Sequence, residues 1–218
     1  MSKTTIFEYK GETQTVTWDR RLCIHVGECG RAKGDLFETG RDPWCDPNLS
    51  DQDGVEMVVA RCPTGALAVK NAAGEFQTEP VAGDNEIHVS NDGPLYASGD
   101  LSVDGASEDM HSVNRRAALC RCGASKNKPF CDNSHRHIGF QDAGAVGDTG
   151  LPEIESDGPL TIKRIPDGPL EVTGSFTLRA GSGRSAWSGR KAYLCRCGQS
   201  ANKPFCDGAH KEAGFKAD

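Results

Sequence analysis

The chain has 218 residues with 26 Gly, 11 Pro and 10 Cys, is 36% hydrophobic and 6% aromatic, and carries a formal net charge of −6. That length suits one or two ordinary domains, and the Gly and Pro content with few aromatics points to small domains joined by turns rather than one large core. The acidic balance argues against nucleic acid or an anionic membrane as main partner, no run of about 18 apolar residues offers a membrane span, and the opening MSKTTIFEYKGETQ lacks the apolar stretch of an export signal.

In chain order, residues 13–18 alternate as a strand with Val16 and Trp18 on one face. The run Leu22-Cys23-Ile24-His25-Val26-Gly27-Glu28-Cys29 follows, then a charged loop containing Cys45. Residues 53–61 read as a helix running into Cys62-Pro63-Thr64-Gly65-Ala66-Leu67, and a strand over 66–70 closes the unit. With no export signal, the cysteines belong in a reducing compartment, the cytoplasm. There, clustered Cys mean metal or redox chemistry more often than disulfides.

The other cysteines fall in two tight sets, at 120, 122, 131 and at 195, 197, 206, each followed four residues on by a histidine, His135 or His210. Both read C-x-C-x8-C-x3-H at an offset of 75 residues. The same offset aligns Asp92-Gly93-Pro94-Leu95 with Asp167-Gly168-Pro169-Leu170, Gly99 with Gly174, and Gly139-Phe140 with Gly214-Phe215. This is an internal duplication of roughly 55 residues per copy, and two tandem copies suit a pseudo-symmetric pair rather than a solenoid. In each copy a short strand (87–89; 160–163) leads through an Asp-Gly-Pro turn to a second (95–103; 170–178). A third (116–119; 191–194) delivers the chain to the first cysteine. Asp132 and Asp207 are the expected N-caps of a short helix carrying the histidine. Segments 71–86 and 141–156, rich in Gly, Ala and Asp, read as linkers.

Three thiolates and an imidazole complete the ligand set of either a zinc ion or a [2Fe–2S] cluster. Zinc sites usually draw on C-x2-C or H-x3-H turns, whereas one C-x-C pair and one C-x3-H pair suit one pair per iron. The residues alone leave both open. In the amino-terminal segment Cys23, Cys29 and Cys62 offer three thiolates, while Val26, at the middle position of the regular C-x2-C-x2-C run, cannot ligate iron. Three thiolates suit a [3Fe–4S] cluster. A [4Fe–4S] cluster needs a fourth ligand, from Cys45 folding back or, less readily, from His25, and Cys45 reads equally well as a free, partly buried thiol.

Both loops resemble the CDGSH iron–sulfur domain family, the mitoNEET-like proteins, whose pattern is C-x-C-x2-(S/T)-x3-P-x-C-D-G-(S/A/T)-H. The match runs through Cys120, Cys122, Ser125, Pro129, Cys131, Asp132 and His135, and again through Cys195, Cys197, Ser200, Pro204, Cys206, Asp207, Gly208, Ala209 and His210. Asn133 stands where the family has glycine, and Asn tolerates left-handed backbone angles better than other non-Gly residues. The amino-terminal segment resembles a ferredoxin half of β–α–loop–α–β order. It is closer still to the divergent mono-cluster ferredoxins with C-I-H-x-G-x-C and R-C-P-x-G-A-L motifs. The resemblance implies a [2Fe–2S] cluster on three Cys and one His in each loop, and a dimer-like pair folded within one chain. The expected fold class is α+β. A ferredoxin-like cubane-cluster domain spans 1–73, with CDGSH domains at 87–141 and 158–218 closing as an intramolecular pseudo-dimer, and linkers at 74–86 and 142–157.

The function expected is electron transfer through one cubane cluster, [3Fe–4S] with [4Fe–4S] as the alternative, and two His-ligated [2Fe–2S] clusters. The alternatives are a cluster carrier or redox or iron sensor, and a zinc-stabilised interaction module. No G-x-S-x-G, H-E-x-x-H, P-loop or G-x-G-x-x-G points to catalysis, so no catalytic residue is expected. The expected partner is a redox protein, with no nucleic acid and no membrane, and the expected state is a monomer. Arg121, Arg196, Lys128 and Lys203 read either as offsets to cluster charge or as solvated surface cations. Ser125, Ser200, Asp132 and Asp207 read as loop-shaping hydrogen bonders. His137 reads as solvated, and His88 and His111 have no constellation around them.

Overall fold

Strand β2 (Gln14–Asp19) forms where the alternating pattern places it, and lies between β1 (Ile6–Lys10) and β3 (Leu67–Asn71) in an antiparallel sheet that sets Val16 opposite both Tyr9 and Val69. The computed structural model describes residues 5–81, 83–152, 154–155 and 157–218. The first four residues of the amino-terminal domain and linker positions 82, 153 and 156 therefore lie outside the described residues. Helix α1 (Gln52–Ala60) starts at Asp51, whose carboxylate accepts from the Gly54 amide at 2.8 Å. It buries Val55, Val58 and Val59 against Val16, Leu67 and Val69. The first helix of the expected β–α–loop–α–β order does not form between Cys23 and Cys29. His25 and Gly27 hold positive φ angles of 51° and 93°, which no right-handed helix accommodates, so the run is a loop ending in a 3-10 turn at Cys29–Arg31.

The remaining strands are β4 (Glu86–Val89), β5 (Leu95–Ser98), β6 (Leu101–Val103), β7 (Arg116–Leu119), β8 (Leu160–Arg164), β9 (Leu170–Arg179) and β10 (Ser185–Leu194), joined in one sheet. The strand expected over 95–103 breaks at Gly99, whose φ is 129° and where a side chain would strike Asn85. Strand β4 pairs antiparallel with β5 on one edge and parallel with the end of β9 on the other, Glu86 opposite Thr177. Strand β8 pairs antiparallel with the start of β9 and parallel with β6, Thr161 opposite Ser102. Under the 75-residue offset these two parallel registers are the same pairing taken in both directions. Each copy places its first strand against the second strand of the other. Ile87, Leu95, Leu119, Leu160, Leu170, Leu178 and Leu194, all fully buried, fill the shared core. Each such side chain contributes about 1.5–3 kcal/mol on burial.

Two arginines pin this body together. Arg121 and Arg196 are among the most buried side chains in the protein, 2% and 1% exposed, so the solvated-cation reading is wrong for both. Nε of Arg121 donates to the Gly93 carbonyl at 2.8 Å, its other nitrogens reach the Ser90 carbonyl and the Asp142 carboxylate, and its plane lies 5.0 Å from the Phe140 ring. Arg196 repeats this on the Gly168 carbonyl at 3.0 Å, the Ile165 carbonyl at 2.7 Å and the Phe215 ring at 5.4 Å. Burial is tolerable because each guanidinium has its donors matched. Strap segments bind the surface. Phe76 stacks on His111 at 3.4 Å, Glu79 pairs with Arg116, and Gly150 forms a bridge to Ser188. Arg116 also donates to the Cys62 carbonyl at 2.6 Å, while Leu22 and Ala66 enter the main core, so the amino-terminal domain is docked on the first copy.

The C-x-C turns of the two copies meet backbone to backbone. A Cβ on Gly123 would lie 2.5 Å from the Cys197 carbonyl oxygen, and one on Gly198 would lie 2.6 Å from that of Cys122. Gly123→Ala is therefore expected to lose more stability than Gly139→Ala, measured as the urea midpoint. Both positions have positive φ, at a cost of about 1–2 kcal/mol for Ala, but Gly139 has open space around it. Equal losses would mean that the turns do not touch. Arg121→Ala strands the Asp142 carboxylate and is expected to cost about 3–5 kcal/mol, with Arg121→Lys failing to restore the midpoint because an ammonium lacks the planar fork.

Candidate metal centres

Strand β7 ends at Leu119 and presents Cys120, whose amide donates to the Pro129 carbonyl at 2.8 Å, while the Cys131 amide donates back to Ala118 at 2.8 Å. This hairpin closure brings the ligand positions together in two pairs. Cys120 Sγ lies 3.8 Å from Cys122 Sγ, and Cys131 Sγ lies 3.4 Å from His135 Nδ1. The second copy repeats both distances, 3.8 Å for Cys195 and Cys197 and 3.4 Å for Cys206 and His210. Ser125 Oγ donates to the Phe130 carbonyl at 2.6 Å and accepts from the Asn127 amide at 3.0 Å; Ser200 does the same at 2.6 and 3.0 Å. The Asp132 carboxylate accepts from the amides of Lys126 and Ser134, at 2.8 and 3.0 Å, and Asp207 accepts from Ala201 and Ala209, at 2.7 and 3.0 Å. These four side chains shape the loops.

Lys128 and Lys203 donate to the carbonyls of Ser125 and Ser200 within their own loops. They are loop ties rather than solvated cations. Helix α2 (Ser134–His137) carries His135, but its N-cap is Asn133, with φ 70°, and Asp132 binds from one residue earlier. The second histidine sits in a turn rather than in the expected helix. His137 is exposed, as expected of a solvated side chain.

Burial sets the protonation of the donors. The Cys120 thiol is drawn down to about 6 because its thiolate accepts from Cys122, whose own thiol is pushed up by that contact and by burial. Burial pushes Cys131 up to about 11, and raises Cys197 and Cys206. His135 is lowered by burial, with Arg136 and Arg121 adding to the effect, which favours the neutral imidazole that ligates metal. Two close pairs suit two irons with two ligands each.

The three cysteines expected as amino-terminal ligands, Cys23, Cys29 and Cys62, line a separate cavity of about 330 Å³ beside His25, Trp18 and Trp44. Thr64 Oγ1 lies 3.4 Å from Cys62 Sγ, a neighbour that the sequence pattern did not single out. Burial raises the Cys29 thiol, the nearby Cys62 adding to it. Cys45 is not on the cavity wall. It is 1% exposed, forms a bridge to Phe37 and packs with Val16, Leu36 and Val58, and burial pushes its thiol up to about 12. Cys45 thus sits in the core cluster against which Cys29 and Cys62 also pack, while His25 lies on the cavity wall beside Cys23, Cys29 and Cys62.

Residues 92–136 and 167–211 match the family described as iron-binding zinc finger CDGSH type, and residues 9–72 match the divergent 4Fe-4S mono-cluster family. Relatives include the uncharacterized protein YjdI of Escherichia coli strain K12 and that of Escherichia coli O157:H7. Each is 38% identical over 63 residues, which is 29% of this chain and 83% of the relative. No solved structure matches the chain significantly. Among the described residues no helix is long and apolar enough to cross a membrane. The chain is therefore an iron–sulfur protein that belongs to the divergent 4Fe-4S mono-cluster family through its amino-terminal domain and carries two CDGSH domains after it.

Proposed function

We propose that the chain relays single electrons among three iron–sulfur centres and has no catalytic residue of its own. The observation that carries this reading is the contact between ligand loops. The C-x-C turns of the two CDGSH loops touch at Gly123 and Gly198, and the amino-terminal loop packs through Ile24 on Cys131. Three donor sets in direct succession suit transfer along the chain better than three independent structural metals.

Each CDGSH loop would hold a [2Fe–2S] cluster, through Cys120, Cys122, Cys131 and His135 in the first and Cys195, Cys197, Cys206 and His210 in the second. Bound there, such clusters supply one-electron chemistry at a potential raised by the imidazole that replaces a thiolate. The chain's own work is to bury the donors, keep His135 neutral and brace the loops through Ser125, Asp132 and Arg121. Cys23, Cys29 and Cys62 would hold a [3Fe–4S] cluster. The family description names four irons; the packing of Cys45, 1% exposed, with Val16, Leu36 and Val58 supports three.

The reciprocal strand pairing supports reading the two copies as an intramolecular pseudo-dimer, and the family match supports a ferredoxin-like amino-terminal domain. The clustered cysteines and the net charge of −6 support a place in the reducing cytoplasm with a redox protein as partner rather than nucleic acid or membrane, and the strand pairing between the two copies supports a monomer. A second reading, cluster delivery or sensing, is favoured by one observation: Cys206 is more exposed than Cys131, and His210 more than His135.

Protein purified without oxygen is expected to hold about seven iron atoms per chain with matching acid-labile sulfide, and to show an EPR signal before reduction. Cys45→Ser should leave the iron content unchanged. About eight irons, silent until reduced, would replace the three-iron assignment, and zinc in place of iron would overturn the relay. Under the delivery reading, His210→Cys slows cluster transfer to an apo acceptor; unchanged transfer refutes that reading.

A further inference from the structure

The two CDGSH loops are alike in ligand geometry but differ where the amino-terminal domain meets them. Asn133, the residue that departs from the family pattern, faces both ways across this seam. Its amide donates to Cys131 Sγ at 3.4 Å, and its side-chain Nδ2 donates to the carbonyl of Ile24, the residue after Cys23, at 2.6 Å. Ile24, 3% exposed, packs on Ala118, Cys131 and Tyr96. Asn127 adds a bond to the Arg21 carbonyl at 2.7 Å. At the offset of 75 residues the second copy has Gly208 for Asn133, Glu171 for Tyr96 and Tyr193 for Ala118. There the Tyr193 hydroxyl donates to Glu171 at 3.0 Å, and Tyr193 is 44% exposed. Three substitutions thus coincide with the one loop that the amino-terminal domain covers.

We propose that Asn133 is a positioning residue that locks the first CDGSH ligand loop to the amino-terminal ligand loop, so that the amino-terminal centre communicates with the first [2Fe–2S] centre and not directly with the second. The Ile24 carbonyl, the Asn133 side chain and the Asn133 amide on Cys131 form a continuous bonded bridge between Cys23 and Cys131. One electron lost by a cluster held at the amino-terminal loop would be one electron gained by a cluster held at the first CDGSH loop. The communication rests on the iron–sulfur reading above; the lock itself does not.

The experiment uses the full holo chain and two variants. Asn133→Gly installs the residue that the second copy already carries at positive φ, 91° at Gly208, so the turn itself is retained. Asn133→Asp keeps size and left-handed tolerance but cannot donate to a carbonyl. Hydrogen exchange of residues 22–29 is expected to speed up about fivefold in both variants, the effect of losing one typical bond, with residues 195–210 unchanged. In fully reduced protein, EPR power saturation should show two [2Fe–2S] populations, the first relaxing severalfold faster through its paramagnetic neighbour. That difference should collapse in both variants at unchanged iron content. Unchanged exchange, or saturation behaviour identical to the parent, overturns the proposal. A parent chain without iron, in which the exchange effect persists, would instead sink the relay reading and leave the lock standing.

Discussion

Past Gly99 the second strand of the first copy has an edge that its own first strand does not cover, and past Gly174 the same is true of the second copy. Backbone amides and carbonyls inside a sheet must find partners, and an uncovered edge invites pairing with another chain. Here β8 covers β6 and β4 covers the end of β9, in identical register. Asn85 pins the crossing: its side chain donates to the carbonyls of Gly158 and Ser175, at 2.9 and 3.2 Å, and accepts from the Asp100 amide at 2.9 Å. Neither half completes its hydrogen bonding alone, so the contact between the C-x-C turns follows from the sheet rather than from the metals.

On that frame the ligand loops are each anchored by one phenylalanine, Phe130 buried in the shared core and Phe205 packed against it. Their shape comes from matched polar groups: a serine closing each loop, an aspartate collecting two amides, and a buried guanidinium spanning the preceding turn. Such networks hold one geometry because any displacement leaves a buried donor unsatisfied. The thiols can then be held 3.8 Å apart, one lowered at the expense of the other, in a loop whose backbone has already been fixed.

Much of this was legible in the sequence, for a physical reason. Ligand spacing is short-range chemistry, so C-x-C-x8-C-x3-H at an offset of 75 residues names the eight CDGSH positions without reference to the fold. The strand that delivers the chain to the first cysteine of the first loop, Arg116–Leu119, coincides with its expected bounds. What escaped depends on distant partners. Strand β1, only partly buried, has no alternation strong enough to announce it. Arg121 and Arg196 look like surface cations until the carbonyls of Gly93 and Gly168 are placed beside them, although their recurrence at one offset was an available signal. Cys45 reads in sequence as either a fourth ligand or a buried thiol because nothing local shows that β2 and α1 pack around it. The Gly99 break and the loop at 23–29 reflect backbone angles that composition alone does not reveal.

The exchange of strands within one chain also changes what mutation can do. In a homodimer built from a single motif, every substitution is written twice, and both faces must tolerate it. A covalent duplicate writes each change once. Asn133 against Gly208, Tyr96 against Glu171 and Ala118 against Tyr193 are changes of that kind. They break the two-fold relation at the surface while the eight ligand positions keep it at the centre. The protein thereby acquires a front and a back, a directionality that no symmetric assembly of the same motif has.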